Sequence, residues 1–181
     1  MKNKALVIIV LFVNFLLFSQ DKFLTKEGYV SFFSHSIVED IKADNSQVLS
    51  IIDTGNGEIA VQLLMRSFMF KKALMQEHFN NSYIESFKYP KAIFRGFILN
   101  FKEVTNQVSE VEVKGVLSLH GKDKEISLWA KIEILKDQIN LSGDFVVRVA
   151  DFDIKIPIIV RNNIAKIIKV SFDLKHKPYK E

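Results

Sequence analysis

Residues Ser67 to Gly96 read SFMFKKALMQEHFNNSYIESFKYPKAIFRG, and this stretch decides the fold. On either side the sequence alternates as β-structure does; here it does not. From Phe70 to Tyr83 the apolar residues fall at Phe70, Ala73, Leu74, Phe79 and Tyr83, a roughly helical spacing on one face. Asn80 and Asn81 suit a helix end, because Asn tolerates left-handed backbone angles. Pro90 forces extended geometry on Tyr89, and Ala92, Phe94 and Gly96 begin a period-two strand. One short helix, around 70–83, is therefore expected between two halves of an all-β chain, as the lid or base of something closed.

The flanking sequence reads as a succession of strands. Gly28 to Phe33 alternates weakly, and Val48 to Ile52 is a plain apolar run. Asp53-Thr54-Gly55-Asn56-Gly57 is a turn signal. After it Ile59, Val61, Leu63 and Met65 share one face opposite Glu58, Gln62 and Arg66. The strand after the helix is apolar on both sides, Phe94 and Ile98 on one and Phe97 and Leu99 on the other. That predicts cover on both faces, with the helix as the natural cover. The cleanest alternation follows. Val111, Val113, Gly115, Leu117 and Leu119 oppose Glu112, Lys114 and Ser118. Past a turn at Gly121-Lys122-Asp123, Ile126, Leu128, Ala130, Ile132 and Ile134 oppose Glu125, Ser127, Lys131 and Glu133. Past Lys136-Asp137, Ile139, Leu141, Gly143, Phe145, Val147 and Val149 face away from Asn140, Ser142, Asp144 and Arg148. These are three strands of an up-and-down meander. Ile156-Pro157-Ile158 reads as a crossing segment, since Pro lacks the N–H of a central ladder position. Asn162-Asn163 turns the chain into a last strand, Ile168 to Leu174. About eight strands result, enough to close an antiparallel barrel around one small ligand.

The chain start differs in kind. Lys2 and Lys4 precede an apolar run from Ala5 to Phe18, broken only by Asn14. A charged start with a short apolar core reads as a secretory signal over residues 1–20, leaving residues 21–181 as one domain. The run is short for a membrane span, which needs ~20 apolar residues. The rival reading is an uncleaved anchor. With no Cys in the chain, disulfides, thiolate metal sites and a lipid-modified Cys are excluded. The formal charge is +4 from 25 basic and 21 acidic side chains. Without Lys2 and Lys4 the balance is 23 against 21, or +2, too small and scattered to argue for nucleic acid.

The same residues carry a resemblance. Ser67-Phe68-x-Phe70, Leu74-Met75-x-x-His78-Phe79-Asn80, Tyr83 and Tyr89-Pro90-x-x-x-Phe94-x-Gly96 resemble the core block of the YceI-like family. Gly115-Val-Leu-Ser-Leu-His-Gly121 is similar to its G-x-L-x-x-x-G hairpin, and Arg148-x-x-Asp151-Phe152 to its R-x-x-D-F. The resemblance spans about Glu27 to Lys175. It implies a secreted, lipocalin-like antiparallel barrel that holds a polyisoprenoid or similar lipid, with Asp151-Phe152 shaping the barrel rim.

Catalytic signals are thin. His35, His78, His120 and His176 show no metal-pair spacing. Ser34 and His35 are strand neighbours and point to opposite faces. No G-x-S-x-G nucleophile elbow occurs, and Gly55-x-Gly57 precedes no helix that could cradle phosphate. Glu39-Asp40 reads as a solvated edge, and Asp151 and Asp153 are a weak cation pair. No catalytic residue, metal or cofactor is expected.

Three classes of function compete: a lipid carrier, an interaction or structural protein with a filled barrel and no ligand, and an enzyme using the cavity. The resemblance favours the first, in the periplasm or secreted, with a long isoprenoid or other lipid as partner, no nucleic acid, and room for weak membrane-surface contact. The structural rival is an eight-stranded outer-membrane barrel, whose lumen would be polar and whose rims would carry aromatic girdles. The expected cavity wall is Ile59, Val61, Leu63, Phe94, Ile98, Val113, Leu117, Leu128, Ile132, Leu141, Phe145, Val170 and Phe172. Met65, Met69, Leu74, Met75 and Phe79 form its adaptable end. Gly115, Ala130 and Gly143, small residues on neighbouring strands, are expected to leave a slot between them.

Overall fold

The computed structural model describes residues 22–35, 39–156 and 165–179. The signal segment 1–20, Ser36, the crossing at Pro157-Ile158 and the turn at Asn162-Asn163 lie outside them. In chain order the strands are β1 (Lys22–Ser34), β2 (Ile41–Asp53), β3 (Glu58–Leu64), a two-residue β4 (Met69–Phe70) and β5 (Lys91–Ile98). They continue with β6 (Ser109–Leu119), β7 (Lys122–Leu135), β8 (Gln138–Arg148) and β9 (Ile167–Tyr179). A six-residue helix α1 (Ala73–His78) lies between β4 and β5, and a π-helical turn, Phe79–Tyr83, continues it. The expected helix over 70–83 is thus shorter at its start. Its first residues are taken by β4, which pairs with β2 at Ala43↔Phe70 and Asp44↔Met69.

Every pairing is antiparallel. The order β1-β9-β8-β7-β6-β5-β3-β2 closes on itself through β1–β2 pairing, so eight strands form a closed barrel with β4 appended to β2. Turn chemistry fixes the registers. His120 and Gly121 both have positive φ (51° and 73°), and Leu119 pairs with Lys122. That is a two-residue turn of the mirror-image type, which needs positive φ at both centres. The turn expected at Gly121-Lys122-Asp123 therefore sits one residue earlier. Lys136-Asp137 joins Leu135↔Gln138 as expected. Asp53 Oδ1 accepts from the Gly55 N–H (2.9 Å), closing the turn expected at 53–57.

The barrel is solid at one end. Ile52, Ile59, Ile98, Phe101, Val111, Ile132, Ile139 and Leu141 form its core there. Gly57 (φ 78°) lets the turn close over it, since a Cβ would stand 2.8 Å from the Ile98 carbonyl oxygen. His176, fully buried, bridges two walls of this end. Its Nδ1–H donates to the Ile139 carbonyl (3.1 Å), and the Ser50 hydroxyl donates to Nε2 (2.8 Å).

The outer surface is polar, with Lys114, Glu125, Lys131 and Asp144 exposed. Apolar-in, polar-out is the inverse of an outer-membrane barrel. No helix among the described residues is long and apolar enough to cross a membrane. The expectation that β5 is covered on both faces fails. Phe97 is exposed on its outer face, and α1 packs across the barrel end rather than over that face.

Candidate functional site

The half of the barrel nearest α1 is hollow. It forms a half-open cavity of about 520 Å³, inside the ~300–1,000 Å³ range of small-molecule sites. A filled barrel therefore does not describe this molecule. Period-two alternation brings the wall together. Ile59, Val61 and Leu63 come from β3, Phe94 from β5, and Val113 and Leu117 from β6. Leu128 comes from β7, Leu141 and Phe145 from β8, and Val170 and Phe172 from β9. Met65, Leu74, Met75 and Phe79 border the α1 end.

Three expected positions lie elsewhere. Ile98 and Ile132 face inward but at the closed end, where they are 2% and 0% exposed within the solid core. Inward orientation alone cannot tell a packed layer from a hollow one. Met69 is exposed, because on the extended stretch 68–70 its neighbours Phe68 and Phe70 turn inward. The expected slot is also corrected. Gly115 is small because its strand crosses Gly96 closely: a Cβ on Gly115 would stand 2.2 Å from the Arg95 carbonyl oxygen. Ala130 packs in the closed core, and the Phe172 ring covers Gly143, 3.0 Å from where a Cβ would lie.

Other wall residues escaped the sequence reading. Val30 and Phe32 of β1 and Ile41 of β2 line the cavity, although their strands alternate weakly. Ala92, Leu119, Ile126 and Val147 also line it; the last three continue inward runs already visible in the meander. Beneath α1 four rings form a cluster. Phe32 packs on Phe68, Phe70 and Phe79 with centroids 5.2, 5.7 and 5.5 Å apart. Gln76 fastens α1 above them, donating from Nε2 to the Phe68 carbonyl (2.6 Å) and accepting at Oε1 from the Phe70 N–H (3.2 Å).

Polar groups sit only at the rim. They are Ser34, Glu39, Lys72, His78 and Tyr83. Lys72 Nζ makes an ion pair with Glu39, and burial pushes the Tyr83 phenol above its ordinary range. Ser34 is buried and its Oγ accepts from the Ala165 N–H (2.9 Å), whereas His35 is exposed and lies 2.6 Å from Asp40. Ser34 and His35 are therefore not a nucleophile and its base. Among the described residues no three His, Asp or Glu side chains cluster to hold a metal. An apolar chamber with a polar rim can enclose an apolar chain and leave a polar end group in contact with water.

Closed antiparallel strands around such a chamber define a ligand-binding β-barrel. The chain belongs to the YceI-like family, whose domain model matches residues 20–176. Solved structures share the fold. A polyisoprenoid-binding domain from Saccharophagus degradans, implicated in plant cell wall breakdown, superposes with a TM-score of 0.76 at 16% identity, covering 88% of this chain and 99% of that one. BcnA from Burkholderia cenocepacia gives 0.70 at 15% identity, covering 82% and 95%. The YceI protein of Campylobacter jejuni gives 0.57 at 15%, covering 81% and 90%. No curated protein matches the sequence.

Proposed function

We propose that this protein is an exported carrier that holds a long apolar chain, a polyisoprenoid or related lipid, without transforming it. The observation that carries the reading is the apolar cavity whose polar groups lie only at its rim. Each CH₂ taken out of water contributes ~0.8 kcal/mol, so a long chain binds with few polar contacts. Family membership and the fold shared with the Saccharophagus degradans domain support the ligand class. Lys2, Lys4 and the Ala5–Phe18 run support export.

Mass spectrometry of an organic extract, from protein made with its N-terminal segment intact, tests the reading. A stoichiometric long-chain lipid is expected in the wild type. Ala92→Trp, which projects an indole into the cavity, should lower that load while circular dichroism stays native. Wild-type protein free of lipid sinks the carrier, and an undiminished load in a folded Ala92→Trp variant sinks this cavity as its site. Fractionation should find the chain outside the cytoplasm, starting near residue 20; full-length protein with Met1 in the cytosol refutes export.

A further inference from the structure

The barrel wall is not equally closed all round. β6 pairs with β7 from Ser109↔Ile132 to Leu119↔Lys122. β8 pairs with β9 from Ile139↔His176 to Arg148↔Ile167. Between β7 and β8 the ladder runs only from Leu135↔Gln138 to Ala130↔Gly143. Residues 122–129 of β7 and 144–148 of β8 thus share no ladder with each other. Beyond them the wall is joined again, where the turn Val149–Phe152, buried at both its end residues, packs against β7 and two side-chain contacts hold it there. His120 Nδ1–H donates to the Phe152 carbonyl (2.9 Å), and Lys122 Nζ stands 2.8 Å from Asp153 Oδ2. The outcome is a window bounded on one side by the last ladder pair and on the other by this latch.

The inner lining of the window is apolar. Ile126 and Leu128 on one edge and Phe145 and Val147 on the other all line the cavity. On the outer faces of the same edges Trp129 and Val146 are 66% and 63% exposed. Both edges are blunted on the outside by exposed charge, Lys122 to Glu125 on β7 and Asp144 and Arg148 on β8, while their inward side chains are apolar and continuous with the chamber. The α1 rim is the opposite case. A chain passing there would desolvate the Lys72–Glu39 pair and part the ring cluster of Phe32, Phe68, Phe70 and Phe79.

We propose that the β7–β8 window is the side port through which the apolar chain passes into and out of the cavity. This deepens the carrier reading and rests on it. Opening the port parts apolar contacts and a side-chain latch but breaks no ladder hydrogen bond.

The chain has no cysteine and one tryptophan, so a cross-link and a fluorescence readout are both clean. Continuing the Ala130↔Gly143 register sets Ser127 opposite Val146, both exposed and outside the cavity lining. Ser127→Cys with Val146→Cys, joined by a short bismaleimide, ties the window shut. Gln47→Cys with Ser67→Cys, two positions outside the cavity lining whose side chains meet where the chain enters the α1 end, joined likewise, ties the rim side. The probe is N-dansyl farnesylamine, followed by energy transfer from Trp129. The window link should slow association and dissociation together, by about tenfold or more, with affinity unchanged, and the rim link should leave both rates near those of the unlinked protein. Normal rates in the window-linked protein overturn the port while leaving the carrier intact. An unlinked protein that does not bind the probe overturns both. If the linked protein fails to fold, His120→Asn serves instead: Asn tolerates the left-handed φ of 51° but releases the Phe152 carbonyl and, at the other ring nitrogen, Glu85, so Glu85→Ala is its control and should leave both rates unchanged. With His120→Asn both rates should rise at constant affinity, and unchanged rates overturn the port.

Discussion

Gly96 and Gly115 pair across β5 and β6, and neither has room for a side chain. A Cβ on Gly96 would stand 2.1 Å from the Lys114 carbonyl oxygen, a backbone atom that cannot rotate away. Gly96→Ala should therefore destabilise by ~1–3 kcal/mol or more, as overpacking does, read as a fall in the urea midpoint at constant m-value; an unchanged midpoint contradicts the close crossing. The sequence marks both glycines as unusual within strands, but not which cause applies, since a cavity and a backbone crossing both demand a small residue. His176 makes a second prediction. Burial, against weaker support from the Ile139 and Leu174 carbonyls, lowers its pKa from 6.5 to about 4. The folded protein thus holds it neutral, and the unfolded chain binds the extra proton. The stability it contributes is fully present above pH 6.5 and is lost as pH falls from there toward 4. That loss amounts to ~3 kcal/mol. His176→Gln should flatten the ΔG–pH profile in that window, leaving the slope that the carboxylates cause; a variant with the wild-type slope refutes the assignment.

At the scale of elements, α1 is held by less than its place in the sequence suggests. It has no buried residue of its own; the anchor is Phe79 in the turn after it and the two bonds of Gln76 to Phe68 and Phe70. Gln76→Ala frees the Phe68 carbonyl and the Phe70 N–H at once. The expected cost is ~1–3 kcal/mol, felt locally as faster amide exchange across 73–79, with the closed-end amides unaffected. Protection in α1 equal to wild type refutes Gln76 as its clamp. The helix was legible because its spacing breaks a period-two background, and the meander was legible because each strand has one buried face. What misled was β5. Phe97 and Leu99 look like a second buried face, yet exposed aromatics on an outer strand face are tolerated singly, so composition alone does not reveal cover. The β7–β8 window was illegible for another reason: the sequences of both strands alternate cleanly throughout, and pairing is a property of neighbours, not of a strand.

The described residues join a solid end to a hollow one within one barrel, and this asymmetry has a thermodynamic consequence. At the solid end Ile52, Ile132, Ile139 and Leu141 are nearly or wholly buried and contribute packing whether or not a ligand is present. At the hollow end Val61, Phe94, Leu128 and Phe145 border about 520 Å³ without protein atoms, and their packing is completed only by an occupant. A lipid that binds only the folded state stabilises it by RT ln(1 + [L]/Kd), and its contacts fall in one half. Extraction of the lipid should therefore lower the denaturation midpoint, and should also separate the halves in native-state hydrogen exchange. Amides around Ile132, Ile139 and His176 should keep protection close to the global value. Those of β7 residues 122–129 and β8 residues 144–148, which lack a shared ladder, should lose protection on delipidation and regain it when lipid returns. Uniform loss along both strands would mean that the barrel opens as one unit, and no change on delipidation would mean that the cavity is not where the lipid resides.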